Sequence, residues 1–324
     1  MHVLITGGGG FIGRKLAARL LRDGQVNGRE ISRLTVVDVV EASGLGDDPR
    51  LVTRSLDVSD RSAVDRLVGG GVDLVYHLAA IVSANAETDM DLGYRVNLDG
   101  TRNLLEALRT LGTCPKIVFA SSCAVYGGDM PPVIEDDTHL TPQTSYGAQK
   151  AAGELLVADY VRKGLVDGMS LRLPTIVVRP GKPNKAASTF ASSILREPLA
   201  GQDAVCPVGL DAEMYVLSPR RVVDAFVHAA GLERNRVGMT RAFALPGITV
   251  SIGQMIEALE KRTGPAVTAR IHHERDELIE RIVKGWAPRV NARHARSLGF
   301  EADADIGDII EAHIEDELGG TYVA

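Results

Sequence analysis

A glycine-rich turn between a short apolar strand and an amphipathic helix most constrains the fold of this 324-residue chain. The run TGGGGFIG at residues 6–13 lies between the apolar triplet at 3–5 and a helical pattern over 11–22. Glycine lets the backbone adopt positive φ and approach a ligand without a Cβ in the way. The helix that follows directs free N–H groups and its dipole toward an anion. This order of elements predicts a phosphate-binding turn.

Short β-rich runs alternate with helical patterns through the first half of the chain. Strand patterns cover residues 34–37, 51–56, 74–78, 117–120 and 169–173, and helical patterns cover 61–68, 91–111 and 146–162. Strands that alternate with helices imply right-handed crossovers and a parallel sheet that is covered on both faces. We therefore expect an α/β fold with a Rossmann-type doubly wound parallel sheet, followed by a smaller C-terminal substrate-binding portion.

The alternation ends near Pro174, where prolines cluster and the segments become shorter. We predict a dinucleotide-binding domain over residues 1–173 and a mainly substrate-binding portion over 174–324. The helical pattern at 220–232 and the strand pattern at 242–245 are expected to return to the first domain.

Composition excludes several classes of protein. The apolar content is 45% and the formal charge is −6, which argues against a disordered chain and against a nucleic-acid-binding surface. No apolar run approaches the roughly 18–20 residues of a membrane helix, and no basic segment suggests a signal peptide. Cys114, Cys123 and Cys206 show neither disulfide nor zinc spacing, and the histidines suggest no metal site. A reducing cytoplasm is expected.

An acidic residue ends the second strand pattern. A carboxylate at this position, here Asp38, can bind both hydroxyls of an adenine ribose. Val39 and Val40 follow it, and neither is a cation that would receive a 2′-phosphate. The expected cofactor is therefore NAD rather than NADP, and its expected contacts at the glycine turn are Gly7, Gly10, Phe11, Ile12 and Gly13.

Tyr146 and Lys150 are four residues apart and so share one face of a predicted helix. A tyrosine with its ordinary pKa near 10 is a poor base at neutral pH, but an adjacent lysine cation stabilises the phenolate. The run SSCAVYG at 121–127 follows the fifth strand, where a serine hydroxyl could orient a substrate alcohol while the tyrosine removes its proton.

These motifs, together with HLAA at 77–80 and Asn97, resemble the extended short-chain dehydrogenase/reductase superfamily. The resemblance implies that Ser122 is the catalytic serine, Tyr146 the general base and Lys150 its partner. It also implies that the helices beginning near residues 91 and 146 pair across a homodimer. The further cofactor contacts that it implies are Asp57, Val58, Leu78, Ala79, Ala80, Asn97, Tyr146, Lys150, Pro174, Thr175 and Ile176.

The substrate class is indicated by departures from other branches of the superfamily. Dehydratases carry an Asp-Glu pair where this chain has Cys123 and Ala124, and the segment 172–181 lacks an asparagine that is usual in sugar-nucleotide epimerases. The stretch 172–185 is basic and contains no acid, which suits a small anionic substrate. Arg220 and Arg221 are weaker candidates for the same anion.

The strings at 80–87 and 172–188 are similar to those of sugar-acid dehydrogenases in the superfamily. This similarity implies NAD-dependent oxidation of the C2 hydroxyl of D-erythronate to the 2-oxo acid. Two alternatives stay open, an epimerase of nucleotide sugars and a non-catalytic NAD-binding sensor. The expected substrate contacts are Ser83, Ser122, Tyr146, Arg179 and Lys185.

Overall fold

The computed structural model describes residues 1–181 and 187–324. Its strands are β1 His2–Thr6, β2 Gln25–Val26, β3 Arg29–Glu30, β4 Arg33–Asp38, β5 Leu51–Ser55, β6 Leu74–His77, β7 Lys116–Ser122, β8 Asp167–Leu173, β9 Thr175–Ile176, β10 Ala204–Cys206, β11 Glu213–Leu217, β12 Ala242–Ala244, β13 Ile248–Ser251 and β14 Ile271–His273.

The helices are α1 Phe11–Asp23, α2 Arg61–Val68, α3 Ser83–Thr88, α4 Met90–Gly93, α5 Gly100–Thr110, α6 Ser145–Arg162, α7 Thr189–Leu199, α8 Pro219–Gly231, α9 Arg234–Val237, α10 Ile252–Thr263, α11 Pro265–Thr268, α12 Glu277–Lys284, α13 Arg293–Ser297 and α14 Ile306–Leu318. A π-helical stretch over Tyr94–Asp99 joins α4 to α5, so the single helix predicted over 91–111 is divided.

A seven-stranded sheet has the order β12-β8-β7-β6-β1-β4-β5. From β1 the chain adds β4 and β5 on one side, and β6, β7 and β8 on the other. The pairs of β1 with β4 and β6, of β4 with β5, and of β6 with β7 are all parallel. The predicted doubly wound Rossmann-type sheet is confirmed. In such sheets ligands bind at the carboxyl ends of the strands where the winding reverses, which here is between β1 and β6.

The inner strands β1, β6 and β7 of this sheet are largely buried by the apolar side chains that cover them. Val3, Leu4 and Ile5 of β1 are fully buried, as expected for a central strand covered by helices on both faces. On one face, Leu104 and Leu108 of α5 and Val157 of α6 pack in the same core as Phe119 of β7. The buried strands hold the residues at their carboxyl ends in fixed positions, and the candidate site begins there.

The chain divides into two compact units. The first comprises Met1–Val125, Pro142–Arg172 and Val223–Phe243, and the second comprises Tyr126–Thr141, Leu173–Val222 and Ala244–Ala324. The second unit has its own apolar core, which includes Phe190, Ile194, Met255 and Ile310. It also contains a three-stranded sheet of order β13-β11-β9 and the pair β10-β14.

Three further features of the described residues concern membranes, metals and thiols. No described helix combines the length and apolar character needed to cross a membrane. The same residues contain no group of three or more histidine, cysteine and acidic side chains that could hold a metal ion. Cys114, Cys123 and Cys206 are free thiols.

Candidate active site

The glycine turn after β1 is packed too closely for side chains at two of its positions. Gly7 has a φ of +74°, and a Cβ there would lie 2.5 Å from the backbone nitrogen of Ala79. A Cβ on Gly13 would lie 2.4 Å from the carbonyl oxygen of Gly7. The turn opens directly into α1 at Phe11, and no side chain caps that end of the helix. The first amide groups of α1, including those of Phe11 and Ile12, therefore form a cradle suited to an anion.

Asp38, the last residue of β4, is held at the edge of this cradle. One oxygen of its carboxylate accepts a hydrogen bond from the Gly9 N–H at 2.9 Å, and the other accepts one from the Val39 N–H at 2.7 Å. Val39 and Val40 are 63% and 74% exposed. The acidic group is thus fixed beside the glycine turn, and the two residues that follow it are exposed and uncharged.

The segment after β6 lines the same end of the sheet. The Leu78 N–H donates to the carbonyl oxygen of Thr6 at 3.0 Å, which joins this segment to the end of β1. Leu78, Ala79 and Ala80 are half-buried. In the segment that follows β5 in the chain, Val58 is buried, whereas Asp57 is exposed and its carboxylate accepts a hydrogen bond from the Ser59 N–H at 2.8 Å.

Asn97 is buried, and its side chain makes three hydrogen bonds within the protein. Its Oδ1 accepts from the Ile81 N–H at 2.7 Å, and its Nδ2 donates to the Ile81 carbonyl oxygen at 3.0 Å. The same Nδ2 donates to Oε1 of Gln149 at 2.7 Å. Asn97 therefore ties the segment after β6 to α6, and its role as a cofactor contact stays a prediction.

Helix α6 begins tightly against the loop that follows β7. The Thr144 hydroxyl accepts a hydrogen bond from the Gly147 N–H at 3.1 Å and caps the helix. A Cβ on Gly147 would lie 2.2 Å from the carbonyl oxygen of Ala124, so only glycine permits this close approach. The first turn of α6, which carries Tyr146, is consequently fixed next to the end of β7.

Ser122, Tyr146 and Lys150 are brought together as the sequence predicts. The side chain of Ser122 is hydrogen-bonded to the Tyr146 hydroxyl. The Lys150 ammonium lies 5.7 Å from the centre of the Tyr146 ring and donates a hydrogen bond to the Ala120 carbonyl oxygen at 2.7 Å. Ser122 and Tyr146 are half-buried and Lys150 is buried. The side chains of Ser122 and Tyr146 are therefore accessible to a ligand, whereas that of Lys150 is not.

Burial shifts the pKa of both titratable groups in this trio. It raises the pKa of Tyr146 to about 12, and the hydrogen bond from Ser122 opposes the rise. It lowers the pKa of Lys150 to about 7, and the negative charge of Glu154 opposes the fall. At neutral pH the phenol thus keeps its proton, and additional positive charge nearby is needed to make it a base.

A buried polar cluster behind Lys150 was not anticipated from the sequence. Glu154 accepts a hydrogen bond from Ser121 and an ion-paired one from Arg172 Nη2 at 2.8 Å. The sequence predicts Arg172 as one of the cations of the basic stretch 172–185, but in the structure its guanidinium is paired with the Glu154 carboxylate. The spacing of Tyr146, Lys150 and Glu154 at successive intervals of four is the sequence signal that could have revealed the cluster.

The predicted substrate contacts lie in different parts of the chain. Ser83 is half-buried and is the first residue of α3. In the second unit, Arg179 is half-buried and its Nη2 donates to the Ser188 hydroxyl at 3.1 Å. Lys185, like Lys182, lies outside the described residues. Burial and the neighbouring Arg196 lower the pKa of Arg179 from its ordinary value.

Other candidates in the second unit have defined partners. Thr175 and Ile176 form β9, which pairs with β11 through Val216 and Leu217, and Pro174 precedes them and is buried. Arg220 pairs with Glu315 and Asp316 at 2.8 and 2.7 Å. Arg221 pairs with Glu301 at 2.9 Å. These ion pairs make Arg220 and Arg221 poorer candidates for an anionic substrate.

A doubly wound sheet with a glycine turn after its central strand defines a Rossmann-type nucleotide-binding protein. Comparison with protein families assigns the chain more narrowly, because the model of the NAD dependent epimerase/dehydratase family matches residues 3–238. The chain belongs to this family. The membership predicted from the sequence motifs is thus confirmed.

Two curated relatives match almost the full length of the chain. D-erythronate dehydrogenase from Cupriavidus necator is 51% identical over 320 residues, which is 98% of each chain. D-erythronate dehydrogenase from Haemophilus influenzae is 44% identical over 318 residues, covering 98% of this chain and all of the relative.

Solved structures share the fold over the same extent. A crystal structure described as the nucleoside-diphosphate-sugar epimerase from Agrobacterium tumefaciens is 46% identical, with a TM-score of 0.96. It covers 99% of this chain, which covers 95% of it. A GalE-like L-threonine dehydrogenase from Cupriavidus necator has a TM-score of 0.85 at 23% identity, covers 98% of this chain and is 99% covered by it, and shows likeness of fold alone.

Proposed function

We propose that this protein oxidises the C2 hydroxyl of D-erythronate to the 2-oxo acid with NAD as the hydride acceptor. The observation that carries the proposal is the hydrogen bond between Ser122 and Tyr146 in front of the buried Lys150. The two near-full-length relatives named D-erythronate dehydrogenase support the choice of substrate.

The residues of the first unit fit the cofactor. The open amides at the start of α1 would bind the pyrophosphate, and the missing side chains of Gly7 and Gly13 allow its approach. The Asp38 carboxylate would bind the adenine ribose hydroxyls. Bound NAD supplies the hydride acceptor and a positive charge on its ring. The other contacts proposed are Gly10, Phe11, Ile12, Asp57, Val58, Leu78, Ala79, Ala80, Asn97, Tyr146 and Lys150, and, outside the first unit, Pro174, Thr175 and Ile176.

Proton removal is assigned to the trio on β7 and α6. Ser122 would hold the C2 hydroxyl, and the Tyr146 phenolate would accept its proton while hydride leaves C2 for the cofactor. The C2–H and O–H bonds break and a C2=O double bond forms. Burial raises the pKa of Tyr146 to about 12, so the phenol is a poor base by itself. The Lys150 ammonium would therefore have to stabilise the phenolate.

The carboxylate of the substrate, or its neighbouring hydroxyls, is assigned to Arg179 and Lys185, with help from Ser83. Arg179 is half-buried, and its guanidinium is already oriented by the Ser188 hydroxyl. A planar guanidinium binds a carboxylate through two parallel hydrogen bonds, which suits a small sugar acid. Lys185 is assigned from the sequence alone.

Turnover assays with a panel of four- to six-carbon aldonates, each with NAD and NADP, test the proposed function. We expect absorbance at 340 nm to rise fastest with D-erythronate and NAD. If another aldonate is oxidised faster than D-erythronate, the proposed substrate is wrong but the proposed reaction, oxidation of a C2 hydroxyl with NAD, still holds. The absence of turnover with every acid, combined with NAD binding, would contradict the proposal and favour a non-catalytic sensor.

A second candidate function is the epimerisation of a nucleotide sugar. It is favoured by the 46% identical structure that is described as a nucleoside-diphosphate-sugar epimerase. Incubation with UDP-sugars distinguishes the two. Epimerised sugar without net NADH would support the epimerase, whereas intact UDP-sugars beside rapid oxidation of D-erythronate would support the dehydrogenase.

We also propose a cytoplasmic homodimer. Leu155 of α6 is 70% exposed, and Met90 and Tyr94 are exposed on helical segments that pack beside α6. The free thiols suit a reducing compartment, which supports the cytoplasmic location. The dimer is supported by the helices, because apolar side chains exposed together on neighbouring helices are typical of a face that a second copy covers. Light scattering coupled to size-exclusion chromatography should give twice the chain mass, and Leu155→Glu should give the mass of one chain.

A further inference from the structure

The last three residues of β7 each contact α6. The Ala120 carbonyl oxygen accepts a hydrogen bond from Lys150, and Ser122 is hydrogen-bonded to Tyr146. Between them, Ser121 donates a hydrogen bond to Glu154. The outer two contacts involve the proposed catalytic residues, whereas the middle one ends on a carboxylate to which the proposed reaction gives no role.

Glu154 is a buried anion with three side-chain hydrogen bonds from one cation. Arg172 Nη2 donates to its Oε2 at 2.8 Å, and Arg172 Nε lies 3.0 and 3.2 Å from its two oxygens. Both side chains are less than one-tenth exposed. Burying such a pair gives little net stability compared with apolar side chains of similar volume. Its place one helical turn beyond Lys150 therefore suggests a role beyond packing.

The groups around Lys150 differ in charge at neutral pH. On α6 these are Tyr146 and Glu154, and β6 provides His77. Next to Glu154 are Arg172 of β8, which pairs with it, and Cys123, whose Sγ donates to the Arg172 carbonyl oxygen. Burial lowers the pKa of His77 to about 3 and raises that of Cys123 to about 12, so both are neutral. His77 is held by Thr6 and Thr101 at 2.7 and 2.9 Å. Among these five groups, Glu154 carries the negative charge.

We propose that Glu154 is a positioning residue that keeps Lys150 protonated beside Tyr146, with Ser121 and Arg172 fixing its carboxylate. The inference rests on the proposed function for its kinetic consequence. Loss of the carboxylate would leave the buried Lys150 ammonium with the Ala120 carbonyl oxygen as an acceptor but with no anion among the groups named above, and the lysine would release its proton more readily. A neutral lysine stabilises the Tyr146 phenolate less, so the base would form only at higher pH.

Lysine NMR tests the inference without any substrate. The eight lysines are labelled with ¹³C at Cε, Lys150 is assigned with Lys150→Arg, and its titration is followed in the intact protein. We expect Glu154→Gln to lower the pKa of Lys150 by about one unit or more. Asp159→Asn, an exposed change on the same helix, should leave it unchanged.

A double variant guards against misfolding, because Glu154→Gln alone leaves Arg172 buried without its anion. Glu154→Gln combined with Arg172→Met removes both charges and should still lower the pKa of Lys150. An unchanged Lys150 titration in either folded variant would overturn the inference.

Kinetics supply the second readout. In the pH profile of kcat/KM for D-erythronate and NAD, Glu154→Gln should move the acid limb to higher pH, with a loss of roughly tenfold at pH 7. A shift to lower pH would also overturn the inference, since it would mean that Lys150 stays charged and that Arg172 adds positive charge. If the unmodified protein does not oxidise D-erythronate, the proposed function fails while the lysine titration still decides the role of Glu154.

Discussion

The Asp38 carboxylate accepts a hydrogen bond from the Gly9 backbone at 2.9 Å, so the end of β4 and the glycine turn after β1 are joined by one side chain. This contact holds the acidic group beside the glycine turn, where the proposed function has it bind the adenine ribose. A carboxylate there favours free hydroxyls and repels a 2′-phosphate.

Cofactor preference should therefore depend on Asp38 and its exposed neighbour. Asp38→Ser combined with Val39→Arg removes the charge-assisted bonds to the ribose and adds a cation for a 2′-phosphate. We expect the ratio of kcat/KM for NAD to that for NADP to fall by roughly 10–100-fold. An unchanged ratio measured at 340 nm would show that Asp38 does not contact the ribose.

Removing the Tyr146 hydroxyl should abolish proton transfer and leave the fold intact. We expect Tyr146→Phe to lower kcat by roughly 10²–10⁴-fold, while calorimetry shows retained NAD binding. The matched control is Tyr160→Phe on the same helix, where the lost hydroxyl contacts Glu106. Near-normal turnover of Tyr146→Phe would refute the general-base assignment.

Because the glycine turn is closely packed, one added methyl group at Gly13 should lower both the stability of the fold and the affinity for NAD. Gly13→Ala places a Cβ 2.4 Å from the Gly7 carbonyl oxygen, so the turn must shift. We expect a loss of about 1–3 kcal/mol in the free energy of unfolding, together with weaker NAD binding. Gly70→Ala has no atom within 4 Å of the added Cβ and serves as the control. Equal urea midpoints for the two variants would contradict the close packing.

Stability should vary with pH through Lys150. Its pKa is about 7 in the folded protein against an ordinary value of 10.5. Between these values the unfolded chain holds a proton that the folded protein has released, so the free energy of unfolding rises with pH. Lys150→Met lacks this titration. The free energy of unfolding of the variant minus that of the unmodified protein should therefore become more negative from pH 7 to pH 10.

Urea unfolding at intervals of pH checks this prediction. The pKa of the Cys123 thiol is raised to about 12, and because this thiol titrates in both proteins, its contribution cancels in the difference. A difference that stays constant across the range would mean that the pKa of Lys150 is not lowered by burial.

The alternation of strands and helices was predicted correctly because hydrophobic periodicity, and the turn residues between elements, are local properties of the chain. The division of the helix over 91–111 was not predicted. A π-helical stretch carries Asn97, and its hydrogen bonds with Ile81 and Gln149 join residues that are distant in sequence. Local periodicity contains no information about such partners.

By itself the sequence determined the glycine turn, the acidic end of the second strand and the shared helix face of Tyr146 and Lys150. Each depends on spacing within one or two adjacent elements. Only the tertiary structure decided that Arg172 is neutralised by Glu154, and that Ser121 points to this pair while Ser122 meets Tyr146. These relationships depend on which strands are neighbours in the sheet and on how closely α6 packs against β7, because long-range packing brings the charges together.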